Sequence, residues 1–538
     1  MANITQENIL KNTIEPALRS RHITLIRTPV ISSLNSFSAP ITTPLALAYL
    51  SSSILSAGYE VTPIDGLGEA IDQIKVHNNP TCRVRGLTTE EIIERIPSHT
   101  DIIGISVMFT QEWLFARKII ENIKKVFPHI PIILGGEHAT ALSDLILKTC
   151  PAVDLCAMGE GEETIIDIMK WFPSNPEKIS GIVYRDKDGQ ILRTPSRARI
   201  RDLESIPWPD WRLLPLEPYL AGGYAHGPNM GRTISMLATR GCPFQCTFCS
   251  NKAMWTQRYI TRNPKDVVAE IEYYKNTYAI DNVDFADLTA IVKKEWIIEF
   301  GNILKERNIK ISWSLPSGTR SEALDSAVTK LMAETSCKYL VYAAESGSPR
   351  ILKYIKKEVN LDRMLDSIKA AKKNGLSLRC NLMLGFPKEK RTDVWRTLIF
   401  QIKLAFAGVD DVPLYMFSPY PGSELFDYLK GTGRIVETKD EYFQSLLCQF
   451  DLTQGSLYCE NIGPRELNFY RLIGMSLFYF LSYILYPKRI IRSYKNIFKT
   501  KRTETAFEQR LVEMFETKAL MKRNKTHLLD ARRVTAAS

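Results

Sequence analysis

Short apolar runs alternate with helical patterns along most of the chain, and this alternation most limits the folds available to it. In the first part, five runs predict strands, at residues 22–27, 60–64, 102–108, 130–134 and 153–157. Helical stretches lie between them, such as residues 111–126 with their apolar stripe. This strand–helix–strand rhythm predicts a doubly wound, flavodoxin-like parallel sheet.

The pattern then changes and starts again. Two β-rich runs flank Asp188-Gly189 and predict a hairpin over residues 181–194, and the proline-rich stretch from Ile206 to Pro218 predicts a linker. A second strand–helix series begins near Thr233, with candidate strands at residues 234–239, 282–286, 309–314, 339–344, 376–384 and 412–417. Six such units predict a partial (β/α)6 barrel, whose chemistry belongs at the carboxyl ends of its strands.

We therefore expect an α/β chain in four parts: a doubly wound domain at 1–195, a linker at 196–230, a partial barrel at 231–430 and a mainly helical extension at 431–538.

The loop after the first barrel strand carries Cys242, Cys246 and Cys249 in CxxxCxxC spacing. Three thiolates spaced in this way can ligate three irons of a [4Fe–4S] cluster, which leaves the fourth iron open. The alternatives are a zinc site, which usually has four closed ligands, and three ordinary buried cysteines. His226 is the next histidine upstream and is poorly spaced to complete a zinc site. The remaining cysteines lack this spacing and are predicted to be structural thiols: Cys82, Cys150, Cys156, Cys337, Cys380, Cys448 and Cys459.

With this loop the sequence resembles the radical S-adenosylmethionine (SAM) superfamily, over roughly residues 235–429. The resemblance implies that SAM chelates the open iron, and that one electron splits its C5′–S bond to give a 5′-deoxyadenosyl radical. It also implies that Phe248 lies beside the adenine, Asp287 near the SAM amino group, and Glu345 against other polar groups of SAM. Leu288 departs from the paired acidic pattern of the family. For each carboxylate the alternative is a solvated loop charge.

Two further segments resemble turns of this superfamily. Gly385-Phe386-Pro387 with Glu389 follows the fifth barrel strand, and the turn at residues 419–423 follows the sixth. Their glycines and prolines are suited to tight turns, so we expect them to shape the site rather than to react. No residue is assigned as a catalytic acid, base or nucleophile.

The N-terminal domain resembles the cobalamin-binding domain that precedes the barrel in one radical SAM class. The resemblance rests on the helix at 44–50 and on segments that follow the third, fourth and fifth strands. It implies that these segments contact the cofactor through Ser106, Thr110, Gly135, Gly136, Gly159 and Gly161. Carboxyl ends of parallel strands are where doubly wound sheets bind ligands, and glycine lets the backbone approach a cofactor closely.

The DxHxxG motif of classical cobalamin domains is missing, because residues 28–33 contain no histidine. Many radical SAM members also lack it, so we expect the lower face of the cobalt to be open or to bear water. The alternative is a degenerate sheet domain that only covers the barrel. His138 is predicted to support neighbouring site residues or to lie at the surface, rather than to be a ligand.

The C-terminal extension contains an apolar run at residues 472–486, shorter than the ~20 residues that span a bilayer. Basic residues follow it up to Arg502, and the net charge of the chain is +11. One interpretation is a helix that lies on an anionic membrane through residues 472–502. The other is a buried helix that closes the open barrel, followed by a solvated basic helix. Nucleic-acid binding is not predicted, because no recognition motif accompanies the basic run.

The resemblance favours a cobalamin-dependent radical SAM methyltransferase that acts on an unactivated carbon of a small-molecule or lipid-like substrate. The alternatives are an oxidative cyclase or rearranging enzyme, similar to the anaerobic magnesium-protoporphyrin ester cyclase, and an inactive binding or scaffold protein. The expected cofactors are a [4Fe–4S] cluster, SAM and cobalamin, with a reducing partner such as a flavodoxin or ferredoxin. Scattered thiols and the polar segment 1–19 predict a cytoplasmic protein, with peripheral contact to a membrane as the open alternative.

Overall fold

The computed structural model describes residues 21–36, 41–78, 81–289, 291–320, 323–449 and 451–535, without the side chains of Thr81 and of residues from 523 onward. The predicted α/β class is confirmed: a doubly wound sheet is followed by a six-stranded parallel sheet and then by helices. The polar segment 1–19 lies outside the described residues.

The first half of the chain forms ten strands and six helices. The strands are β1 (His22–Arg27), β2 (Val30–Ser32), β3 (Glu60–Asp65), β4 (Ile74–Asn78), β5 (Thr81–Arg85), β6 (Ile102–Ser106), β7 (Ile132–Gly135), β8 (Leu155–Ala157), β9 (Ile182–Arg185) and β10 (Ile191–Arg193). The helices are α1 (Leu45–Ser56), α2 (Thr89–Glu94), α3 (Trp113–Val126), α4 (Glu137–Thr149), α5 (Glu162–Trp171) and α6 (Leu216–Gly222).

The large sheet has the order β10-β9-β8-β7-β6-β1-β3. Strands β8, β7, β6, β1 and β3 run parallel, which is the flavodoxin-like order predicted from the alternation. The hairpin β9–β10 extends one edge, and its turn contains the predicted Asp188-Gly189. Helix α3 begins at Trp113, because residues 110–112 form a 3₁₀ turn where the pattern predicted a helix from residue 111.

A second, three-stranded sheet was not predicted. Strand β5 pairs antiparallel with both β2 and β4 beside the doubly wound sheet. The strands are short and carry polar residues on their outer face, so their apolar pattern is weak. The predicted linker is also more ordered than its prolines suggest: it forms α6, and Trp211, Tyr219 and Leu220 are buried in it.

The second half begins with the barrel. Its strands are β11 (Thr233–Met236), β12 (Thr239–Arg240), β13 (Ile260–Thr261), β14 (Asn282–Phe285), β15 (Ser312–Thr319), β16 (Cys337–Glu345), β17 (Ser377–Leu384) and β18 (Leu414–Met416). Its helices are α7 (Asn251–Trp255), α8 (Pro264–Tyr278), α9 (Lys294–Glu306), α10 (Ser326–Glu334), α11 (Pro349–Tyr354), α12 (Leu361–Lys373), α13 (Arg391–Phe406) and α14 (Glu424–Gly431). Side-chain caps start several of them, as where Asn263, Asp325 and Asn360 accept backbone N–H bonds.

Six parallel strands follow chain order, β11-β14-β15-β16-β17-β18, and β11 does not pair with β18. The predicted partial barrel is therefore confirmed. Two strand predictions were wrong in detail. The run at 309–314 starts its strand only at Ser312, and the run at 234–239 ends its barrel strand at Met236. Thr239 and Arg240 leave the barrel to pair with β13.

The C-terminal helices are α15 (Asp440–Ser445), α16 (Pro464–Leu485), α17 (Lys488–Lys495) and α18 (Ala506–Thr535), with a π-helical turn at Asn496–Thr500 after α17. Helix α16 packs along α13 and β18 on one face only. Among the described residues no single helix is long and apolar enough to cross a membrane. The pair Pro464–Leu485 and Lys488–Thr500, bent by 109°, passes that test together by length and composition.

The start of α18, rather than the predicted apolar helix, reaches into the open barrel. Ala506 packs with Tyr339 and Val341 of β16. The alternate residues of this strand, Leu340 and Tyr342, point to its other face and belong to the core under the surrounding helices. Arg510 donates to Tyr415 Oη at 2.8 Å. The prediction of a buried helix at 472–486 was therefore wrong for about half of its surface, because the outward residues of α16 are exposed.

Candidate active site

The cysteine loop lies between two very short strands. β12 and β13 pair antiparallel, Thr239 with Thr261 and Arg240 with Ile260, and so close the loop at its base. Gly241 begins the loop with a φ of +84°, and a Cβ there would stand 2.1 Å from Arg258 O. Only glycine fits this combination of positive φ and close approach. The local backbone thus fixes where Cys242 starts.

Solvent exposure distinguishes the three motif cysteines from the other seven. Cys242 and Cys246 are partly exposed and Cys249 is exposed, whereas each of the other seven is buried. This supports the prediction that the seven are structural thiols. Burial raises the pKa of Cys246, and the nearby positive charge of Lys357 opposes that rise. Within the described residues, no three His, Cys, Asp or Glu side chains meet as a preformed metal site. The cluster fits by donor chemistry: three unpaired, accessible thiols in one anchored loop.

Asp287 anchors this loop from the end of β14. Its carboxylate accepts from the Ala238 N–H at 3.1 Å and from the Thr239 hydroxyl at 2.5 Å. The group is fully buried, and burial raises its pKa to about 6. The alternative of a solvated loop charge is therefore wrong for Asp287. Contact with the SAM amino group stays a prediction, since the hydrogen bonds seen here hold the cysteine loop itself.

Glu345 occupies a strained position at the end of β16. Its φ is +65°, a region that residues with a Cβ rarely adopt and that clusters at functional sites. The carboxylate is buried and accepts from Lys357 Nζ at 3.0 Å. Burial alone would lower the pKa of Lys357, but the charge of Glu345 outweighs it and raises that pKa. The alternative of a solvated loop charge is therefore wrong for Glu345 as well. Its negative charge also contributes to the raised pKa of the Cys246 thiol.

Phe248 packs on the turn after β17. Its ring centroid lies 5.9 Å from that of Phe386, which in turn lies 5.3 Å from Phe417. Glu389 closes this turn by accepting from the Gly385 N–H, and burial raises its pKa to about 8. The turn thus forms an apolar wall beside the cysteine loop, as expected of a structural segment. The adenine contact of Phe248 stays a prediction.

The carboxyl edge of the doubly wound sheet carries the predicted cobalamin residues. Ser106 ends β6, and Thr110 four residues later hydrogen-bonds His138 Nδ1 at 3.2 Å. His138 is buried against Trp113, and burial lowers its pKa to about 3, so the surface interpretation was wrong. His138 Nε2 and Gln111 Oε1 are buried without a hydrogen-bond partner among the described residues. Two such orphaned polar atoms at this edge fit a polar ligand.

The four glycines at this edge differ in what surrounds them. A Cβ at Gly135 would meet nothing within 4 Å, so this position is open for close approach. Gly136 has a φ of +105°, and its Cβ would stand 2.5 Å from Val107 O. Gly159 has a φ of +75° and faces Met254 O, whereas a Cβ at Gly161 would stand 2.9 Å from the Leu50 side chain. Gly135 therefore fits a cofactor cradle, while Gly136 and Gly161 are required by the packing of the chain itself.

Two carboxylates of the same edge bind the cysteine loop directly, and the sequence patterns missed them. Arg240, two residues before Cys242, pairs with Glu160 at 3.1 Å and with Glu162 at 2.5 Å. All three side chains are almost completely buried, and Arg199 adds a contact of 2.6 Å to Glu160. Ser250, next to Cys249, donates to Glu137 at the start of α4. These contacts place the carboxyl edge of the doubly wound sheet against the cysteine loop.

The sequence contains a signal for these contacts. Besides its glycines, the segment Gly159-Glu160-Gly161-Glu162 carries paired carboxylates before a buried helix, and such carboxylates need a basic partner. The partner lies about eighty residues further along the chain, and only the folded arrangement of the two domains identifies it.

Comparisons with known proteins agree with this arrangement. The Radical SAM superfamily profile matches residues 236–400, and the B12 binding domain profile matches residues 38–168. An uncharacterized methyltransferase of Pyrococcus horikoshii is 30% identical over 409 residues, which cover 76% of this chain and 82% of the relative. The cytidylyl-2-hydroxyethylphosphonate methyltransferase of Streptomyces wedmorensis is 27% identical over 71% of this chain and 77% of that protein.

A different activity is named for another relative. The anaerobic magnesium-protoporphyrin IX monomethyl ester cyclase of Rubrivivax gelatinosus is 26% identical over 72% of this chain and 66% of that protein. Among solved structures, the cobalamin-dependent SAM radical enzyme OxsB, with aqua-cobalamin and SAM bound, matches with a TM-score of 0.64 at 16% identity. That match covers 97% of this chain and 82% of OxsB, and it shows the shared fold. The chain therefore belongs to the radical SAM superfamily: it is an enzyme that joins a [4Fe–4S] cluster and SAM in its barrel to cobalamin in its N-terminal domain.

Proposed function

We propose that this enzyme is a cobalamin-dependent methyltransferase that methylates an unactivated carbon of a small-molecule substrate. The observation that carries the proposal is the direct contact between the cobalamin-side sheet edge and the cysteine loop, through Arg240, Glu160 and Glu162. This contact supports a corrin and a SAM site that face each other with the substrate between them. When bound, the cluster and SAM supply a 5′-deoxyadenosyl radical, and cobalamin supplies the methyl group.

The chain's own residues have positioning roles in this proposal. Cys242, Cys246 and Cys249 hold the cluster, and Asp287 fixes the backbone before them. Phe248 and the Phe386 turn exclude water from the SAM side, and Glu345 with Lys357 offers a buried charged pair to polar groups of SAM. Ser106, Thr110, Gly135, Gly136, Gly159 and Gly161 belong to the cobalamin edge, with Gly135 as the position for close backbone approach.

The cluster assignment is tested by single alanine substitutions at Cys242, Cys246 and Cys249, with Cys150→Ala as a buried-thiol control. Removing a ligand should abolish absorbance near ~400 nm after anaerobic reconstitution and stop 5′-deoxyadenosine formation, whereas the control should keep both. A triple variant that still cleaves SAM under dithionite would end the radical SAM assignment.

Methyl transfer is tested by product mass and by cobalamin retention. We expect the product to exceed the substrate by one CH₂ unit, and corrin to co-purify from cells supplied with hydroxocobalamin.

A second candidate function is oxidative cyclisation, favoured by the relative from Rubrivivax gelatinosus. A product that lacks the added CH₂ would favour it, and full SAM cleavage without any bound corrin would refute the methyltransferase.

The proposal extends to partners and location. The cluster needs an external electron donor, for which a flavodoxin or ferredoxin is suitable. Such donors and ten free thiols favour the cytoplasm. A lipid-like substrate would place the enzyme at a membrane surface, with contact through residues 472–502.

A further inference from the structure

The C-terminal helices expose an apolar face on the outside of the barrel. We define this C-terminal apolar face by Trp395 and Phe406 on α13, Phe480 and Ile484 on α16, and Ile491 and Phe498 on α17 and its π-helical turn, all of which are exposed. Apolar patches exposed on a protein surface mark sites that contact another protein, a ligand or a membrane.

Helix α17 is inverted in polarity, with polar residues inside and apolar residues outside. Arg489, Ser493 and Asn496 are buried. Arg489 donates to Gly408 O at 2.6 Å and Asn496 to Glu508 at 2.9 Å, so their polar groups are satisfied within the protein. Ile491 and Phe498 are instead 72% and 63% exposed. A helix that faces water normally has the opposite arrangement.

Helix α16 repeats this inversion. Arg471 and Ser482 are buried, and Arg471 donates to Asp451 O at 2.6 Å and to Gln454 O at 2.7 Å. Phe480 and Ile484 are four residues apart on the outward face and are 64% and 60% exposed. No charged residue occurs from Leu472 to Pro487. The outward face of this segment therefore carries no charged group.

Helix α13 of the barrel lies beside α16 and makes the face continuous. Arg391 pairs with Glu466 at 2.6 Å at one end of the helix pair, and the Trp395 and Tyr470 rings lie 5.7 Å apart. Near the other end, Tyr486 donates to Phe406 O at 3.1 Å. The apolar face thus spans a catalytic-domain helix and the extension together.

A basic stripe borders the apolar face. Lys488, Lys495 and Lys499 recur at spacings of seven and four, which places them on one side of the helical segment, next to Ile491 and Phe498. All three are exposed, and none has a carboxylate within 4 Å in the part of the chain that the structure describes. By contrast, Lys501 and Arg502 pair with Glu516 and Asp281.

We propose that the C-terminal apolar face lies on the surface of an anionic lipid bilayer, with the lysine stripe against the headgroups. Apolar area beside unpaired lysines is the combination that binds such surfaces. A second copy of this chain complements the face poorly, because its lysine stripe would repel the first. A spanning arrangement is disfavoured, since one side of α16 is packed on the barrel and the bend to α17 is 109°. The inference is independent of the proposed reaction.

The experiment is vesicle flotation with the full-length, cluster-reconstituted protein. Vesicles of pure phosphatidylcholine are compared with vesicles that contain phosphatidylglycerol, at low and high salt. One variant carries Phe480→Ser, Ile484→Ser and Ile491→Ser, and a second carries Lys488→Gln, Lys495→Gln and Lys499→Gln. The matched controls are Val126→Ser with Val436→Ser, both exposed apolar residues elsewhere, and Lys187→Gln.

We expect wild type to float with anionic vesicles only. The apolar variant should lose at least about tenfold in partition coefficient, and each lysine removed should lower it about fivefold, with controls unchanged. Unchanged iron content and 5′-deoxyadenosine formation show that each variant is folded, so failure of methyl transfer does not affect this test. The proposal is overturned by no flotation, by equal flotation with neutral vesicles, by unaffected variants, or by a dimer that the apolar variant dissociates.

Discussion

The buried ion group at Arg240 should be essential for both folding and cluster binding. Replacing Arg240 with Met leaves Glu162 buried without its cation, whereas Glu160 keeps Arg199 at 2.6 Å. Breaking a buried pair by removing one partner typically costs about 3–5 kcal/mol. Arg240 also lies over the Tyr49 ring, 5.1 Å from its centroid, so packing is lost as well. We expect a loss of about 3 kcal/mol or more in the free energy of unfolding.

The assay combines urea unfolding with iron content after anaerobic reconstitution. Arg212→Met is the matched control, because Arg212 pairs with Asp210 at 2.7 Å but is 74% exposed, and surface pairs are worth about 1 kcal/mol or less. The double variant Arg240→Met with Glu162→Gln should recover part of the loss, since it removes the stranded charge. Equal losses in Arg240→Met and Arg212→Met, or a full iron content in Arg240→Met, would refute the reasoning.

The loss of stability caused by Arg240→Met should depend on pH. Burial would raise the pKa of Glu162, but the Arg240 guanidinium outweighs it and holds that pKa below its ordinary value. The pair therefore stabilises the fold above the ordinary carboxyl range, and this stabilisation is lost as the pH falls through the lowered pKa. The gap in stability between wild type and Arg240→Met should accordingly narrow in acid.

Three further predictions concern the site. Gly135→Val should keep fold and cluster but reduce corrin retention, because its Cβ has open space, whereas Gly136→Val should reduce the yield of folded protein itself; full corrin absorbance in Gly135→Val would contradict this. Burial raises the pKa of Glu389 to about 8, so wild type should lose stability as the pH rises from the ordinary carboxyl range up to about 8, while Glu389→Gln does not; parallel urea midpoints at pH 6 and 9 would contradict it. Asp287→Asn should lower iron content per chain, since an amide NH₂ would replace Oδ2 and oppose the Ala238 N–H, which that oxygen accepts at 3.2 Å; undiminished iron would show that the loop holds without the second oxygen.

Local patterns were sufficient to predict the architecture. The alternation of apolar runs gave the doubly wound sheet and the six-stranded barrel, because burial on both sides of a parallel strand leaves a strong local signature. The cysteine spacing likewise identified the one accessible group of thiols. The strands β12 and β13 escaped prediction because two residues carry no periodicity, although they determine how the loop is closed.

Partners distant in the sequence could not be predicted. Glu162 and Arg240 are far apart along the chain, and neither residue type at its own position indicates the other. Asp287 was assigned to SAM by resemblance, whereas the backbone donors it contacts become visible only when β14 is placed beside the cysteine loop.

The C-terminal extension shows why a helical pattern does not reveal which face is inside. In α16, an apolar stripe ending in Phe480 and Ile484 was equally compatible with a core helix, since the helical period is the same in either orientation. Two buried residues set the orientation of the helix. A Cβ at Gly474 would stand 2.6 Å from the side chains of Leu398 and Leu414, so this side must lie against the barrel. The guanidinium of Arg471 donates to the backbone carbonyls of Asp451 and Gln454, which also lie inside. Small and polar residues thus hold the helix to the barrel, and the apolar stripe is left outside. Exposing this C-terminal apolar face to water costs free energy, so the arrangement implies an apolar partner. The adjoining lysines favour an anionic lipid surface as that partner.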